Sequence, residues 1–275
     1  MKRKDSLLFF GNKWLSKGHS STGVGAQNMT AFIIKQSIMF VILYGIQFLI
    51  GTIVLKYQLR VNYARKIVHF MSFITPLAIE MIVSSSTGYT GPIFIVGMLM
   101  NCVIMLIYIK PIREKSVLVQ RMFASFDRPE DRPHTLLWMN TQLIAGYVVL
   151  APCFLYFQSI GYGTLAFIPV IINGLGDGLA EPIGIRFGKH KYRVHALFSK
   201  KKFTRSIEGS LCVFLSAVLI LLVFASSFTV PQLVVALLIL PIAVTLAEAF
   251  SPHTIDTPFI LIVGFACLYM IISFV

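Results

Sequence analysis

Residues 231–250 read Pro-Gln-Leu-Val-Val-Ala-Leu-Leu-Ile-Leu-Pro-Ile-Ala-Val-Thr-Leu-Ala-Glu-Ala-Phe, with Glu248 as the one ionisable group. The run is continuous rather than alternating, so a strand with one polar face does not explain it. It has the roughly 20 apolar residues that a helix needs to cross the hydrocarbon core of a bilayer. Similar stretches recur on both sides of it. Candidate spans cover Ser37–Leu55, Ile67–Val83, Gly91–Ile109, Leu136–Phe157, Ile160–Phe187, Ile207–Ser226, Pro231–Phe250 and Pro258–Val275. The second is short and contains His69 and Glu80, the latter read as structural. The fifth is long and interrupted by Gly174, Gly176, Gly178 and Pro182. Of the 275 residues, 56% are hydrophobic and 13% charged, and the mean hydropathy is +0.80. A soluble domain needs a far more charged surface. The expected fold class is all-α, a polytopic integral membrane protein of about eight transmembrane helices. A polar basic tail over residues 1–30 precedes a single bundle over 31–275. The tail does not read as a secretory signal, because roughly thirty mostly polar residues separate Lys2, Arg3 and Lys4 from the first long apolar run. A short interfacial helix over Leu7–Leu15 is expected within it.

The charge is unevenly placed. Net charge is +13. Lys56, Arg60, Arg65 and Lys66 lie between spans one and two. Lys110, Arg113, Lys115, Arg121, Arg128 and Arg132 lie between three and four. Lys189, Lys191, Arg193, Lys200, Lys201, Lys202 and Arg205 lie between five and six. The loops between two and three, four and five, and six and seven carry no Lys or Arg. Cytoplasmic loops carry the Lys/Arg excess in membrane proteins, so the basic loops are expected in the cytoplasm. That orientation puts the basic tail outside, against the rule, unless the first segment does not cross fully. The sequence is compatible with a bacterial inner membrane or the endoplasmic reticulum. The cations suit an anionic lipid bilayer rather than nucleic acid, since they sit in short loops between apolar runs. Cys102, Cys153, Cys212 and Cys267 fall inside apolar runs without metal spacing and read as small hydrophobes.

An acidic side chain at the centre of a span costs about 2.5–3.5 kcal/mol on insertion scales, so it needs a partner, a cavity or a task. Asn173, Asp177 and Glu181 recur at i, i+4 and i+8 and share a helix face. Gly174, Gly176 and Gly178 leave the backbone between them open to close approach. Pro182 has no N–H, so the carbonyl of Gly178 loses its helical partner. Broken polar backbone at membrane depth belongs in a protein-lined or wet cavity. Asp177 beside a free carbonyl and the amide of Asn173 suits a hard cation such as Mg²⁺. A kinked helix with a structural, hydrogen-bonded Asp is the plainer alternative.

The basic stretch from Gly188 to Ser210 follows a turn or two later. Cations beside a metal site suit a polyphosphate, and anchoring to anionic lipid competes with that reading for Lys189 and Lys191. Lys202 and Arg205 stand next to Ser206, Glu208 and Gly209 at the start of span six, which favours phosphate contact. Residues 184–190 are not a P-loop, being one residue short and lacking the Ser/Thr. Arg65 and His69 share a face at the mouth of span two. Glu248 closes span seven, and Asp256-Thr-Pro258 opens span eight, where Asp256 and Thr257 also suit helix capping, with Pro258 at the first helical position. Four segments thus bring polar groups to one side, as a catalytic pocket requires.

These pieces resemble the CTP-dependent lipid kinases, which include dolichol, phytol and yeast-type diacylglycerol kinases. The matching motifs are Arg65-Lys66-x-x-His69, Gly176-Asp-Gly178-x-Ala180, Gly184-x-x-Phe-Gly-Lys189-x-Lys191, the lysine-rich stretch through Lys200, Lys201 and Lys202 to Arg205-Ser-x-Glu208-Gly209-Ser210, and Glu248 followed by Asp256-Thr-Pro258. They run in the family's order from about residue 65 to 258. Where those kinases usually have Asp-Asn, this chain has Asp256-Thr257. Phosphatidate cytidylyltransferases share part of the central block, but their closing Lys-Asp, His-Gly-Gly and Asp-Arg pattern is absent. The resemblance implies transfer of the CTP γ-phosphoryl group to the hydroxyl of a membrane lipid alcohol, assisted by Mg²⁺. It implies Asp177, with Asn173 and Glu181, at the metal, and the lysine-rich stretch at the triphosphate. Glu248 or Asp256 would ligate a second metal or orient the alcohol, and His69 would relay a proton. Two other readings stand beside it. One is a cytidylyltransferase acting on phosphatidate or a related lipid phosphate. The other is a transporter of an anionic substrate, since a broken helix with ionisable residues is also a transport signature.

Overall fold

The structure is a computed structural model that describes residues 22–82, 91–196, 199–253 and 255–275. The expected interfacial helix at Leu7–Leu15 lies outside the described residues, and so does the side chain of Glu80. Helices α1 (Thr22–Tyr57), α2 (Val61–Ile82) and α3 (Gly91–Ile104) come first. A 3-10 turn at Met105–Tyr108 leads into two short helices, α4 (Lys110–Lys115) and α5 (Val117–Ala124). Next are α6 (Thr135–Ser159), α7 (Phe167–Ile172), a π-helical turn at Asn173–Asp177 and α8 (Gly178–Phe187). Strands β1 (Lys191–Ala196) and β2 (Ser199–Ser206) precede α9 (Ile207–Val223), α10 (Val230–Phe250) and α11 (Asp256–Phe274).

The chain is predominantly helical, as the continuous apolar runs require. Four helices are long and apolar enough to cross a membrane, namely Met29–Tyr57 within α1, then α6, α10 and α11. Ile93–Tyr108 and Ile207–Val223 are apolar but shorter. By length and apolarity the described residues therefore supply four candidate spans, against about eight read from the sequence. The shortfall has local causes. At a 1.5 Å rise per residue, the 17 residues of α9 fall a few ångströms short of a core about 30 Å thick. The first half of α2 carries Arg65, Lys66 and His69. The fifth expected span is divided into α7, the π turn and α8. The helix α1 also starts at Thr22, inside the stretch expected to be tail.

The helices divide into an exposed and a buried face. Leu211, Leu215, Leu219 and Leu222 are exposed on α9, while Val213, Ser216, Ala217 and Ile220 are buried on its other face. On α10 the buried stripe steps through Ala236, Leu240, Val244 and Glu248. This spacing of four places Glu248 on the packed face, one turn beyond Val244. Small residues let membrane helices approach closely. A side chain added at Gly209 would bring its Cβ to 2.6 Å from the carbonyl oxygen of Ala180, so α8 and α9 touch backbone to backbone. The four cysteines are free; Cys267 is buried and the others half-buried, in keeping with small hydrophobes.

The stretch expected to be a basic loop is a β-hairpin. Lys191 pairs with Ser206 and Val194 with Phe203, with an irregularity between His195 and Ala196. Val194, Ala196 and Phe203 turn inward against Trp138 of α6. Lys191, Arg193, His195 and Lys202 point out. His253, just before α11, adds to β1: its N–H donates to the carbonyl of His195 at 2.8 Å, and Phe203 stacks on its ring at 3.6 Å. The hairpin therefore ties the start of α9, the α10–α11 turn and α6 together at one end of the bundle.

Candidate functional site

At that end lies a cavity of about 560 Å³, within the usual range for small-molecule and cofactor sites. Seven Lys or Arg side chains and five carboxylates line it. Two ion-pair clusters and one loop build its walls.

The first cluster joins α2 to the π turn and α8. The Lys66 ammonium donates to the backbone carbonyl of Asp177 at 2.8 Å and to both carboxylate oxygens at 3.0 Å. Its side chain is 4% exposed and that of Asp177 12%. The glycines of the π turn make this approach possible. A Cβ at Gly174 would lie 2.9 Å from the Phe73 ring, and one at Gly178 2.6 Å from the Phe70 ring. Glu181, one turn on, accepts from Arg65 Nη2 at 2.5 Å, from Arg128 Nη1 at 2.6 Å and from Asn62 Nδ2 at 2.9 Å. Lys66 lies 3.7 Å from it as well.

The second cluster joins β2 to α10 and α11. Arg205 reaches Glu248 Oε1 at 3.0 Å and Asp256 Oδ2 at 3.2 Å, and also donates to the Glu248 carbonyl. Burial alone would loosen the proton on Arg205, but the Asp256 and Glu248 carboxylates outweigh it and raise its pKa above the ordinary value. Ser210 donates to Glu248 at 2.9 Å. Gln142 of α6 donates to Asp256 at 3.1 Å and to Thr257 at 2.8 Å. One guanidinium thus serves two buried carboxyl groups.

The third wall is the Asp127–Asp131 segment between α5 and α6. Arg128 is buried and donates through Nε to Asp131 Oδ2 at 2.5 Å. Its Nη2 lies 3.3 Å from His253 Nε2, which in turn is 3.3 Å from Asp131 Oδ1. Burial would raise the pKa of Asp131, yet the His253 hydrogen bond and the Arg128 charge prevail and hold it below the ordinary carboxylate value. Burial keeps His253 below the usual imidazole range.

The sequence-derived candidates divide accordingly. Arg65, Lys66, Asp177, Glu181, Lys191, Lys202, Arg205, Ser206, Gly209, Glu248 and Asp256 all line the cavity. Ser206 is also the N-cap of α9, accepting from the Gly209 N–H at 3.1 Å. Several candidates stand apart. His69 lies behind Asp177, 3.9 Å from its Oδ2, and its Nε2 faces the Gly174 carbonyl at 3.0 Å. Asn173 is buried without lining the cavity, and its Oδ1 has no hydrogen-bond partner. Gly176 packs against Val213. Lys189 is exposed outside the cavity. Glu208 accepts from His190 at 2.9 Å rather than facing the cavity. Lys200 and Lys201 lie on β2, with side chains outside the described residues. Asn173, Asp177 and Glu181 do not converge as one ligand set, because Lys66 holds Asp177 and two arginines hold Glu181. Asn62, Arg128, Gln142 and His253 are not singled out by the sequence, and Ser210 only closes a motif there. The cluster Asp127-Arg-Pro-Glu-Asp131 was the available signal for Arg128.

The cavity thus sits at one end of a bundle with four helices long and apolar enough to cross a membrane, its cations interleaved with carboxylates. Over 103 residues the chain is 39% identical to the phytol kinase of Synechocystis sp.; the match covers 36% of this chain and 41% of the relative. The chain therefore matches well under half the length of that curated relative, and the similarity agrees with the resemblance to lipid kinases. No protein-family model matches, and no solved structure matches.

Proposed function

We propose that this chain is a CTP-dependent lipid kinase that transfers the γ-phosphoryl group to the hydroxyl of a membrane lipid alcohol. The observation that carries the reading is the cavity: seven basic side chains interleaved with carboxylates, at one end of membrane-crossing helices. Phosphoryl transfer is mostly positioning and charge neutralisation, which such a lining supplies. The name of the relative favours an isoprenoid alcohol over diacylglycerol. In this reading the bundle crosses about eight times and the cavity opens to the cytoplasm, where CTP is found. The lipid enters sideways, so only its hydroxyl reaches the polar mouth.

Lys191, Lys202 and Arg205 would hold the triphosphate. The Glu248–Asp256 pair, two cavity-lining carboxyl groups that share the Arg205 guanidinium, suits a group that orients the alcohol and takes its proton. His69, behind Asp177, would act on that carboxylate rather than on substrate. A Mg²⁺ ion would neutralise charge on the phosphates. Among the described residues no three His, Cys, Asp or Glu side chains converge as a metal cage. Mg²⁺ that arrives with phosphates needs only one or two carboxylates. Asp177 lines the cavity and, with Lys66 as its close donor, keeps lone-pair sites on its oxygens for such an ion.

The test is product analysis. Purified protein in lipid vesicles, given CTP and Mg²⁺ with phytol, geranylgeraniol, dolichol or diacylglycerol, is expected to form lipid monophosphate and CDP in equal amounts. Release of pyrophosphate instead would establish the cytidylyltransferase reading. No nucleotide turnover with any of the lipids would return weight to transport.

A further inference from the structure

The sequence pattern put Glu181 at a metal, and the geometry does not suit that task. Both of its oxygens are taken by donors at 2.5, 2.6 and 2.9 Å, two of them guanidinium groups. With three of its about four lone-pair sites taken, two of them by guanidinium groups, and the Lys66 ammonium 3.7 Å away, this carboxylate is a poor ligand for a cation. What it does instead is hold Arg65 and Arg128 in place. Arg128 comes from a segment 53 residues earlier in the chain and is anchored from behind by Asp131. Its guanidinium has five N–H donors. One goes to Asp131 and one to Glu181, and His253 accounts for at most one more. Nη1 and Nη2 each keep one N–H beyond these contacts, and Arg128 lines the cavity. Arg65 likewise has a buried Nε with no partner.

We propose that Arg128 is a phosphate-binding residue of this site, and that Glu181 is not a metal ligand but the positioning residue that holds Arg128 and Arg65 at the cavity wall. This rests on the nucleotide reading of the cavity. Arginine suits the task because its planar fork presents paired donors to phosphate oxygens, which a lysine cannot do. The anchoring fixes the fork before the ligand arrives, so little side-chain freedom is lost on binding.

The two roles of Glu181 predict opposite signs in a binding measurement that involves no turnover. The probe is inorganic tripolyphosphate in EDTA, titrated into the purified full chain. If Glu181 positions the arginines, Glu181→Gln weakens binding about tenfold, and Arg128→Gln weakens it by at least as much. The double variant then loses less than the sum of the two single losses, because Glu181 acts partly through the Arg128 guanidinium and otherwise through Arg65. If Glu181 were a metal ligand, removing its charge would leave metal-free binding unchanged or tighten it, and that result overturns the proposal. Failure of the wild-type chain to bind tripolyphosphate also overturns it. Binding that follows the predicted pattern without any CTP turnover would uphold this inference and sink the kinase reading alone. Should Arg128→Gln fold poorly, Arg128→Lys keeps the charge and loses the fork. Lysine binding as tightly as arginine would contradict the proposed geometry. In turnover, both variants are expected to raise the KM for CTP and leave the KM for lipid and the half-saturating Mg²⁺ unchanged.

Discussion

Lys66→Met removes the ammonium that holds Asp177 and keeps much of the side-chain volume. Lys66 makes three contacts with Asp177, at 2.8, 3.0 and 3.0 Å, in surroundings where its side chain is 4% exposed. Removing one partner of a buried ion pair costs about 3–5 kcal/mol, because the remaining charge is left without compensation. His69 stays within 3.9 Å of Asp177 and Arg65 remains on the same helix, so the low end, about 3 kcal/mol, is expected. That is more than a hundredfold in the folding equilibrium. Lys66→Met/Asp177→Asn removes both charges and is expected to recover most of the loss, since a buried pair contributes little beyond neutralising itself. Reversible unfolding in mixed micelles with increasing dodecyl sulfate measures both variants, and lipid phosphate formation is followed in parallel. Stability returns in the double variant while turnover stays lost. A single Lys66→Met variant as stable as wild type, or a double variant no better than the single, would refute the buried-pair argument.

Other substitutions probe the remaining walls. Gly209→Ala puts a Cβ 2.6 Å from the Ala180 carbonyl; separating α8 from α9 is expected to cost about 1–3 kcal/mol, and a melting temperature equal to wild type would argue against the close approach. Arg205→Lys keeps charge but cannot reach Glu248 and Asp256 together, so kcat is expected to fall at least tenfold with protein folded; wild-type turnover would show that the bridging guanidinium is dispensable. Chelation by EDTA should abolish phosphoryl transfer and leave the unfolding midpoint within error of wild type. Full turnover in EDTA would remove Mg²⁺ from the account.

The membrane class was legible because lipid demands long apolar runs, and residues 231–250 supply one with a single charge. Asp177 stood out for the same reason, as an acid where acids are costly. Its partner was visible only as one of many lysines, because 111 residues separate Lys66 from Asp177. The hairpin was hidden by composition. Tyr192, Val194 and Ala196 do alternate inward, but the lysines between them read as a solvated loop, and the inward face is bought by Trp138 and His253 from distant segments. Arg128 was counted as loop charge; its role follows from partners 53 and 125 residues away. Glu181 was placed correctly on the face of Asp177, but the arginines that occupy it come from elsewhere in the chain. Local pattern thus identified which groups were out of place, and tertiary packing decided what each one faces.

The kinase assignment turns on which phosphorus is attacked, and position-specific label measures that directly. Purified protein in lipid vesicles is given CTP carrying label at the γ- or the α-phosphate, with Mg²⁺ and an isoprenoid alcohol. A lipid hydroxyl attacking the γ-phosphorus puts γ-label into a lipid monophosphate, leaves CDP and transfers no α-label. That is the expected result, and the Lys66→Met/Asp177→Asn variant, which leaves no unpaired buried charge, should reduce it by orders of magnitude. Label from the α position in the lipid, with pyrophosphate released, would contradict the account.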